Sequence, residues 1–351
     1  MLDEIRQQPD ALERTLRGQV RSAEKLRKAL RERRPRVILL AARGTSDNAA
    51  QFGRYMLEAT TGILTCLAAP SMITLYNATV DCEGMLAVAI SQSGESTDTN
   101  AVLAYARKAG ALTVGITNES DSSLAHLAEH VFLVRAGKEK SVAATKTYTG
   151  QLLSIYMLAY ALGAKISLDD LRAVPDWAGR TLKDVEPAID ELAGRYRFMG
   201  HAVVVGRGLN YSNAFEFALK LMETSYVVAE RFSSADLMHG PIAMVEQSFP
   251  AFVFAPGGVT WPATKELLAK LEQLKAETLI FTDEGNREAV NSGRRAVVVP
   301  LKLSRKSYRI EDLYTPIPYI IPAQLLAAKL AAEKGIDPDQ PRTLQKVTRT
   351  L

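Results

Sequence analysis

The sequence predicts an α/β protein made of two homologous domains in tandem, each a doubly wound parallel sheet covered by helices on both faces. Short apolar runs alternate with helical stretches along the chain, a pattern typical of parallel sheets. The second half also repeats the first, because Asn48-Ala49 recurs 165 residues later as Asn213-Ala214. A chain of 351 residues is long enough for two such domains.

The first domain is predicted to start after a helix over residues 2–32. The apolar run RVILLAARG that follows is read as a buried strand feeding a tight turn, with a helix over 47–58 behind it. The remaining predicted elements are strands at 64–68, 85–90, 112–116 and 130–134, a helix over 98–109, and a buried helix over 152–162.

The second domain is predicted to have strands at 202–205, 252–255 and 278–282. A polar stretch that contains Pro175 and Pro187 is predicted to join the two domains. The expected boundaries are an N-terminal helical segment at 1–35, a first domain at 36–165, linker helices at 166–198, a second domain at 199–335 and a tail at 336–351.

Composition and charge exclude several classes of protein. Hydrophobic residues make up 47% and charged residues 23%, which excludes disordered and fibrous chains. A net charge of +4 does not indicate nucleic-acid binding, and we read the basic run at 31–36 as a solvated connector. No apolar stretch approaches the roughly 20 residues of a membrane helix. Two cysteines, Cys66 and Cys82, and an N-terminus without an export signal lead us to expect a cytoplasmic protein.

The segment ISQSGESTDT, at 90–99, carries the sharpest chemical signal. It lies between a predicted buried strand and a predicted helix, where backbone N–H groups and short hydroxyls bind phosphate. An ordinary helix cap would need one hydroxyl, whereas this segment has four: Ser91, Ser93, Ser96 and Thr97. The equivalent strand of the second half ends in Pro-Gly-Gly instead, so we predict one phosphate site per chain. Gly44-Thr45-Ser46 could reach the same pocket, although a serine helix cap explains it equally well.

The second half contains a set of charged residues with helical spacing. Glu216, Lys220 and Glu223 share one helix face, since a helix turns about 100° per residue. A solvated face with Glu–Lys pairs is one interpretation. The apolar residues around them favour the other, in which the charges line a cleft.

One histidine stands out among the four. His239 precedes Gly240-Pro241, so it lies on a constrained turn and is a candidate acid or base, although a lone histidine is more often structural. No spacing suggests a metal site. The turn-rich C-terminal run leads to Lys346, and a frayed tail is the alternative there.

Together these segments resemble the sugar isomerase (SIS) superfamily, with its flavodoxin-like domains. The resemblance is closest to the double-SIS isomerase portion of glucosamine-6-phosphate synthases and to stand-alone type II glucosamine-6-phosphate deaminases. It covers the whole chain, and the segments that carry it are SQSGES with a following DT, VAATKTY, ALKLMETSY, DLMHGP and DQPRTLQKVT.

The resemblance implies a function for each of these segments. It implies proton transfer between sugar C1 and C2 by Glu223, ring opening by His239 donated across a dimer interface, and a supporting role for Lys220. It implies that a tail carrying Lys346 closes the pocket and that no cofactor is needed. The residues that it implies for binding the sugar phosphate are Thr45, Ser46, Ser91, Gln92, Ser93, Ser96, Val142 and Glu216.

Departures from the synthases narrow the expected reaction. Arg43 replaces a family cysteine, Ala144 replaces a family serine, and we expect no glutaminase domain. The ending Val-Thr-Arg-Thr-Leu is similar to that of the stand-alone deaminases. We therefore expect a homodimeric enzyme that converts glucosamine 6-phosphate into fructose 6-phosphate and ammonia. A fructosamine-phosphate deglycase and a non-catalytic sugar-phosphate sensor remain alternatives.

Overall fold

The computed structural model describes residues 1–301 and 310–343, and it contains two five-stranded, fully parallel sheets. The first sheet is made of β1 (Val37–Ala41), β2 (Leu64–Leu67), β3 (Met85–Ile90), β4 (Leu112–Thr117) and β5 (His130–Leu133). The second is made of β6 (His201–Val205), β7 (Val228–Phe232), β8 (Pro250–Phe254), β9 (Glu277–Asp283) and β10 (Arg295–Val299). Their strand orders, β2-β1-β3-β4-β5 and β7-β6-β8-β9-β10, are the same doubly wound order.

Helices connect the strands of each sheet. Those of the first half are α1 (Leu2–Arg6), α2 (Gln8–Glu32), α3 (Thr45–Thr61), α4 (Pro70–Thr74), α5 (Thr97–Lys108), α6 (Ser123–Leu127) and α7 (Lys146–Ala161). Those of the second half are α8 (Leu168–Arg195), α9 (Tyr211–Ser225), α10 (Ser234–Met238), α11 (Trp261–Gln273), α12 (Arg287–Val290) and α13 (Pro316–Glu333). Two short 3₁₀ helices lie at Gly208–Asn210 and Pro241–Met244. The predicted fold class is confirmed.

The strand registers show how closely the second domain repeats the first. Leu86 of β3 lies opposite Leu112 of β4, and Ala251 of β8 lies opposite Thr278 of β9. Equivalent residues are therefore 165 apart in β3 and β8 and 166 apart in β4 and β9. The second domain therefore has one more residue between its third and fourth strands than the first domain has, and the pairing of these strands is kept.

Strands β7 and β10 of the second sheet were not predicted, and two predicted helical segments differ in the structure. The single helix expected over 2–32 is divided into α1 and α2 at Gln7, with Pro9 in the first turn of α2, where its missing N–H costs nothing. The linker helices expected at 166–198 form one helix, α8, which runs through Pro175 and Pro187. Burial of a continuous apolar face along α8 holds the helix together despite these prolines; that face comprises Leu171, Val174, Ala178, Leu182, Val185 and Ile189.

The chain forms two compact units, and each draws on separate stretches of sequence. The first unit comprises Gln7–Glu139 and Ala144–Pro175 and contains the first sheet. The second comprises Met1–Arg6, Lys140–Ala143 and the described residues from 176 onward, and contains the second sheet. Helix α7 is buried on nearly all sides, as the apolar run at 152–162 predicts. Among the described helices, none combines the length and apolarity that crossing a membrane requires.

A buried carboxyl group lies just before α13. Asp312 is 2% exposed, and burial raises its pKa to about 6. The backbone carbonyl of the same residue accepts a hydrogen bond from the Thr315 hydroxyl at 2.8 Å, which fixes this turn. The folded chain therefore favours the neutral carboxyl, so Asp312 opposes folding increasingly as the pH rises from about 4 to 6.

Replacing Asp312 with Asn should remove this pH-dependent cost. We expect the free energy of unfolding of wild type, relative to Asp312→Asn, to fall by about 3 kcal/mol from pH 4 to pH 6 and then level off. Urea unfolding at several pH values measures this. Asp184→Asn, at an exposed position of α8, serves as the control and should show no such trend. A pH-independent difference for Asp312→Asn would contradict the analysis.

Candidate active site

The serine loop, residues 91–96, joins β3 to α5 in the first unit and is held by its own side chains. The Ser91 hydroxyl accepts a hydrogen bond from the Gly94 N–H at 3.1 Å, and the Ser93 hydroxyl accepts one from the Glu95 N–H at 3.2 Å. Gly94 has a φ of 69°, and a Cβ there would lie 2.1 Å from Oγ of Ser122. The loop is therefore a defined turn that requires glycine at this position.

The strand order places a second loop beside the serine loop. Because β1 pairs with β3, the turn that follows β1 lies next to the serine loop at the carboxyl edge of the sheet. Helix α3 begins there at Thr45, and α5 begins at Thr97 after Ser96 as its N-cap residue. Two helix N-termini and several hydroxyls thus meet where the winding direction of the sheet reverses, the position at which such sheets bind ligands. The structure brings together the predicted phosphate-site residues of this unit, which are Thr45, Ser46, Ser91, Gln92, Ser93 and Ser96.

Sequence reasoning missed a glutamine that supports this site. Gln151, in buried helix α7, donates a hydrogen bond from Nε2 to Oγ of Ser46 at 2.9 Å. A hydroxyl that already accepts in this way has its own proton available for another acceptor, such as a phosphate oxygen. The two residues are 105 positions apart, so only the fold reveals the pair.

An ion pair at the same edge was also missed. Nε of Arg43 lies 3.1 Å from Oδ2 of Asp98, and Nη2 of Arg43 contacts the same oxygen. Asp98 is 3% exposed, whereas the Arg43 side chain is 51% exposed. Burial is also the main cause that raises the pKa of Asp47, in the first turn of α3, and the positive charge of Arg43 opposes that rise. A cation therefore lies beside the start of both helices.

Helix α9 of the second unit holds the predicted charged residues. Nζ of Lys220 lies 2.6 Å from Oε2 of Glu223 and 3.6 Å from Oε1 of Glu216. Lys220 and Glu216 have no exposed side-chain surface, whereas Glu223 is 23% exposed. A solvated helix face would leave all three exposed, so the burial favours the cleft interpretation. Of the three charges, Glu223 is the one that a ligand can reach.

An aromatic cluster anchors an adjacent face of α9. The fully buried ring of Phe217 packs edge-on against Phe252, Phe254 and Phe281, with centroid distances of 5.2, 6.5 and 5.8 Å. These rings come from β8 and β9, so α9 is anchored to the centre of the second sheet. Because the helix cannot rotate, the orientation of Lys220 is set by packing and not by its ion pairs alone.

His239 lies at the end of α10 and is exposed. The Ser233 hydroxyl accepts from the Asp236 N–H at 3.2 Å and caps α10, and Gly240 follows with a φ of 137°, a conformation that glycine permits. The imidazole of His239 makes no hydrogen bond to the described residues of this chain, so it is available to a ligand or a second molecule. Sequence reasoning had identified it from the same Gly-Pro turn.

Val142 and Lys346 complete the predicted set. Val142 is half-buried in the segment Lys140–Ala143 of the second unit. The Glu4 carboxylate accepts hydrogen bonds from the backbone N–H groups of Lys140 and, at 3.2 Å, Ser141, so it fixes this segment. Lys346 lies outside the described residues. Within the described ranges, no three His, Cys, Asp or Glu side chains are grouped to hold a metal ion.

Comparison with known proteins assigns both halves to one family. The profile described as SIS domain matches residues 31–161 and 198–333. Glutamine–fructose-6-phosphate aminotransferase (isomerizing) of Methanothermobacter thermautotrophicus is 35% identical over 99% of this chain and 56% of its own length. The protein of the same description from Pseudomonas aeruginosa is 34% identical over 99% and 58%. The chain therefore spans a little over half the length of these curated relatives.

Solved structures of proteins with related descriptions superpose on this chain. The C-terminal domain of glucosamine-fructose-6-phosphate aminotransferase from Francisella tularensis superposes with a TM-score of 0.86 and 29% identity, covering 97% of both chains. A glucosamine-6-phosphate deaminase from Thermotoga maritima superposes with a TM-score of 0.79 and 24% identity over 99% of both chains. The second similarity establishes the shared fold alone.

Replacing Lys220 tests the burial of the charged residues on α9. Lys220→Met keeps the length of the side chain but leaves Glu216 buried without its cation, so we expect a loss of about 3–5 kcal/mol in the free energy of unfolding. Lys270→Met, at an exposed position of α11, is the matched control and should change stability by less than about 0.5 kcal/mol. Chemical denaturation measures both. Equal, small effects would show that the charges on α9 are not buried as described.

Proposed function

Because this chain belongs to the SIS domain family, we propose that it is a sugar-phosphate isomerase that works as a glucosamine-6-phosphate deaminase. It would convert glucosamine 6-phosphate and water into fructose 6-phosphate and ammonia. The observation that carries the proposal is the Glu216–Lys220–Glu223 set on α9, in which a buried lysine holds one partly accessible carboxylate. A sensor that only bound sugar phosphate would not need such a group.

The first unit is assigned the phosphate. The serine loop and the start of α3 present hydroxyls and helix N-termini, which recognise a phosphate group without requiring a metal ion. Serine hydroxyls that accept hydrogen bonds from the backbone of their own loop, as in Ser91 and Ser93, keep their protons for the ligand. This arrangement would fix the C6 end of the sugar.

Ring opening is assigned to His239. The cyclic sugar must lose the proton of its C1 hydroxyl and gain one on the ring oxygen before C2 chemistry starts, and an imidazole can both accept and donate a proton. The exposed ring of His239 agrees with a role in the site of a second copy. We therefore propose a homodimer in which the histidine of one copy serves the active site of the other.

Proton transfer is assigned to Glu223. In the open-chain aldehyde, the carboxylate removes the proton from C2 while O1 takes up a proton from water, which gives an enolamine and hydroxide. The same carboxyl group then delivers the proton to C1, leaving an imine at C2. The proton that the nitrogen loses when the imine forms neutralises this hydroxide. Water adds to C2 and ammonia departs, which yields the ketone of fructose 6-phosphate and balances the reaction. One carboxylate that can reach both carbons suffices.

Lys220 and the tail are assigned supporting roles. Lys220 lies 2.6 Å from Glu223, so it fixes the carboxylate and compensates its charge. Lys346 would close the pocket over the bound sugar. The guanidinium of Arg342, four positions earlier, stacks over the ring of Tyr226 at 4.2 Å, just beyond the end of α9. The backbone N–H of Arg342 donates a hydrogen bond to the Tyr226 hydroxyl at 2.9 Å. This anchor ties the start of the tail to the helix that carries Glu223. The chemistry requires no cofactor.

The direct test combines product analysis with Glu223→Gln. Wild type supplied with glucosamine 6-phosphate and no glutamine should release fructose 6-phosphate and ammonia in equal amounts. Glu223→Gln should lower turnover about 100-fold or more while glucosamine 6-phosphate still raises its melting temperature. Glu230→Gln, at an exposed position of β7, is the control and should keep full activity. Substantial activity in Glu223→Gln would refute the assignment of the proton-transfer group.

Mixed dimers test whether the active sites are shared. Glu223→Gln and His239→Ala should each be inactive alone. When they are co-refolded, a mixed dimer contains one site with intact Glu223 and His239 if the histidine crosses to the other copy, so about a quarter of wild-type activity should return. If His239 serves its own copy, every site carries a defect and none returns. That result would overturn the shared-site proposal.

A further inference from the structure

We infer that Arg43 is a direct ligand of the substrate phosphate and that Asp98 holds it in place. The inference rests on the proposed function, because it concerns the phosphate that the proposed substrate carries. It adds a cation to a site that would otherwise consist of hydroxyls and backbone N–H groups.

The position of Arg43 is the first argument. It lies two residues after β1 and directly before the Gly44 turn that starts α3. Its ion pair with Asp98 fixes it to the first turn of α5, the helix that the serine loop introduces. A guanidinium held to the start of α5 and covalently joined to the start of α3 lies beside both helix ends that frame the phosphate position.

The geometry of the pair is the second argument. Both contacting nitrogens of Arg43 share one carboxylate oxygen, Oδ2, instead of forming a fork over two. Nη1 makes no hydrogen bond to a described residue, and half of the side chain is exposed. Arg43 therefore keeps an outer edge with N–H groups that suit a phosphate oxygen.

The buried partner is the third argument. Oδ1 of Asp98 is buried and lacks a hydrogen-bond partner within the described part of the chain. A pair retained only for stability is expected to satisfy both carboxylate oxygens, since leaving one bare is costly. Asp98 instead fixes Arg43 by one edge, as expected of a residue that positions a ligand-binding group.

Local charge is the fourth argument. The segment 90–99 contains Glu95 and Asp98 but no lysine or arginine, and Asp47 lies in the first turn of α3. A phosphate dianion bound there would face carboxylates at close range. Arg43 supplies a positive charge beside the bound phosphate, and it offsets the carboxylate that lies nearest to the start of α5.

The test measures binding of inorganic phosphate by calorimetry, independently of turnover. We expect Arg43→Met to weaken phosphate binding about tenfold or more, and Arg43→Lys to weaken it less because the charge remains. Asp98→Asn should weaken phosphate binding about threefold, less than Arg43→Met does, because Arg43 keeps its charge but loses the carboxylate that holds it. Melting temperatures of all variants, taken without ligand, show that they are folded.

The double variant Arg43→Met with Asp98→Asn shows whether Arg43 binds phosphate directly or only neutralises the charge of Asp98. If Arg43 binds phosphate, the double variant stays as weak as Arg43→Met. If Arg43 only neutralises Asp98, removing both charges restores wild-type affinity, and that outcome overturns the inference, as does wild-type affinity in Arg43→Met itself. The double variant also keeps the test valid if Arg43→Met alone does not fold.

Failure of the proposed function and failure of the inference about Arg43 give different experimental results. If wild type binds phosphate but releases no fructose 6-phosphate, the deaminase proposal is refuted. The phosphate affinities of the variants then still decide whether Arg43 binds phosphate. Wild type that binds no phosphate overturns the inference about Arg43. With an active enzyme, Arg43→Met should raise KM for glucosamine 6-phosphate about tenfold with little change in kcat, since the phosphate is remote from C1 and C2.

Discussion

The pairing of the first strand of each domain with the third is the constraint on which the rest of the molecule depends. Because β1 pairs with β3, and β6 with β8, chain segments that are distant in sequence end at neighbouring points of one sheet edge. The connections leave in opposite directions there, so a crevice opens without any side chain having to create it. The sequence then needs only to place suitable groups on two loops and two helix starts.

The two domains use this shared frame differently. In the first, the crevice is bordered by serines, a threonine and an arginine. In the second, the loops that follow β6 and β8 approach each other closely, and a Cβ on Gly208 would lie 3.1 Å from the Thr260 methyl group. Its chemical groups lie instead on α9, where Glu223 occupies the position that Glu58 holds in the first domain. After duplication the first domain therefore acquired hydroxyls and a half-exposed arginine at its crevice, and the second acquired buried charges on α9, while both kept the strand registers.

The sequence predicted the elements better than the contacts between them. Most predicted strands agree within one or two residues, because apolar runs followed by glycine are typical of buried parallel strands. The burial of Lys220 could be anticipated from the apolar residues around it. The Arg43–Asp98 and Ser46–Gln151 pairs could not, since they join residues 55 and 105 positions apart. The break between α1 and α2 was also missed, because a proline in a first helical turn does not show whether another helix precedes it.

The assignment of α1 to the second unit has a consequence for how the chain reaches its native state. Arg6 pairs with Glu186, and α1 packs against α13, so residues 2–6 find their partners in segments far along the chain. The first unit, Gln7–Glu139 and Ala144–Pro175, contains its whole sheet before the long C-terminal part of the second unit begins. The second must wait for a closure that spans more than 300 residues, whose entropic cost grows only slowly with loop length. Such long-range contacts lower folding rates, so the N-terminal helix is expected to dock among the final events.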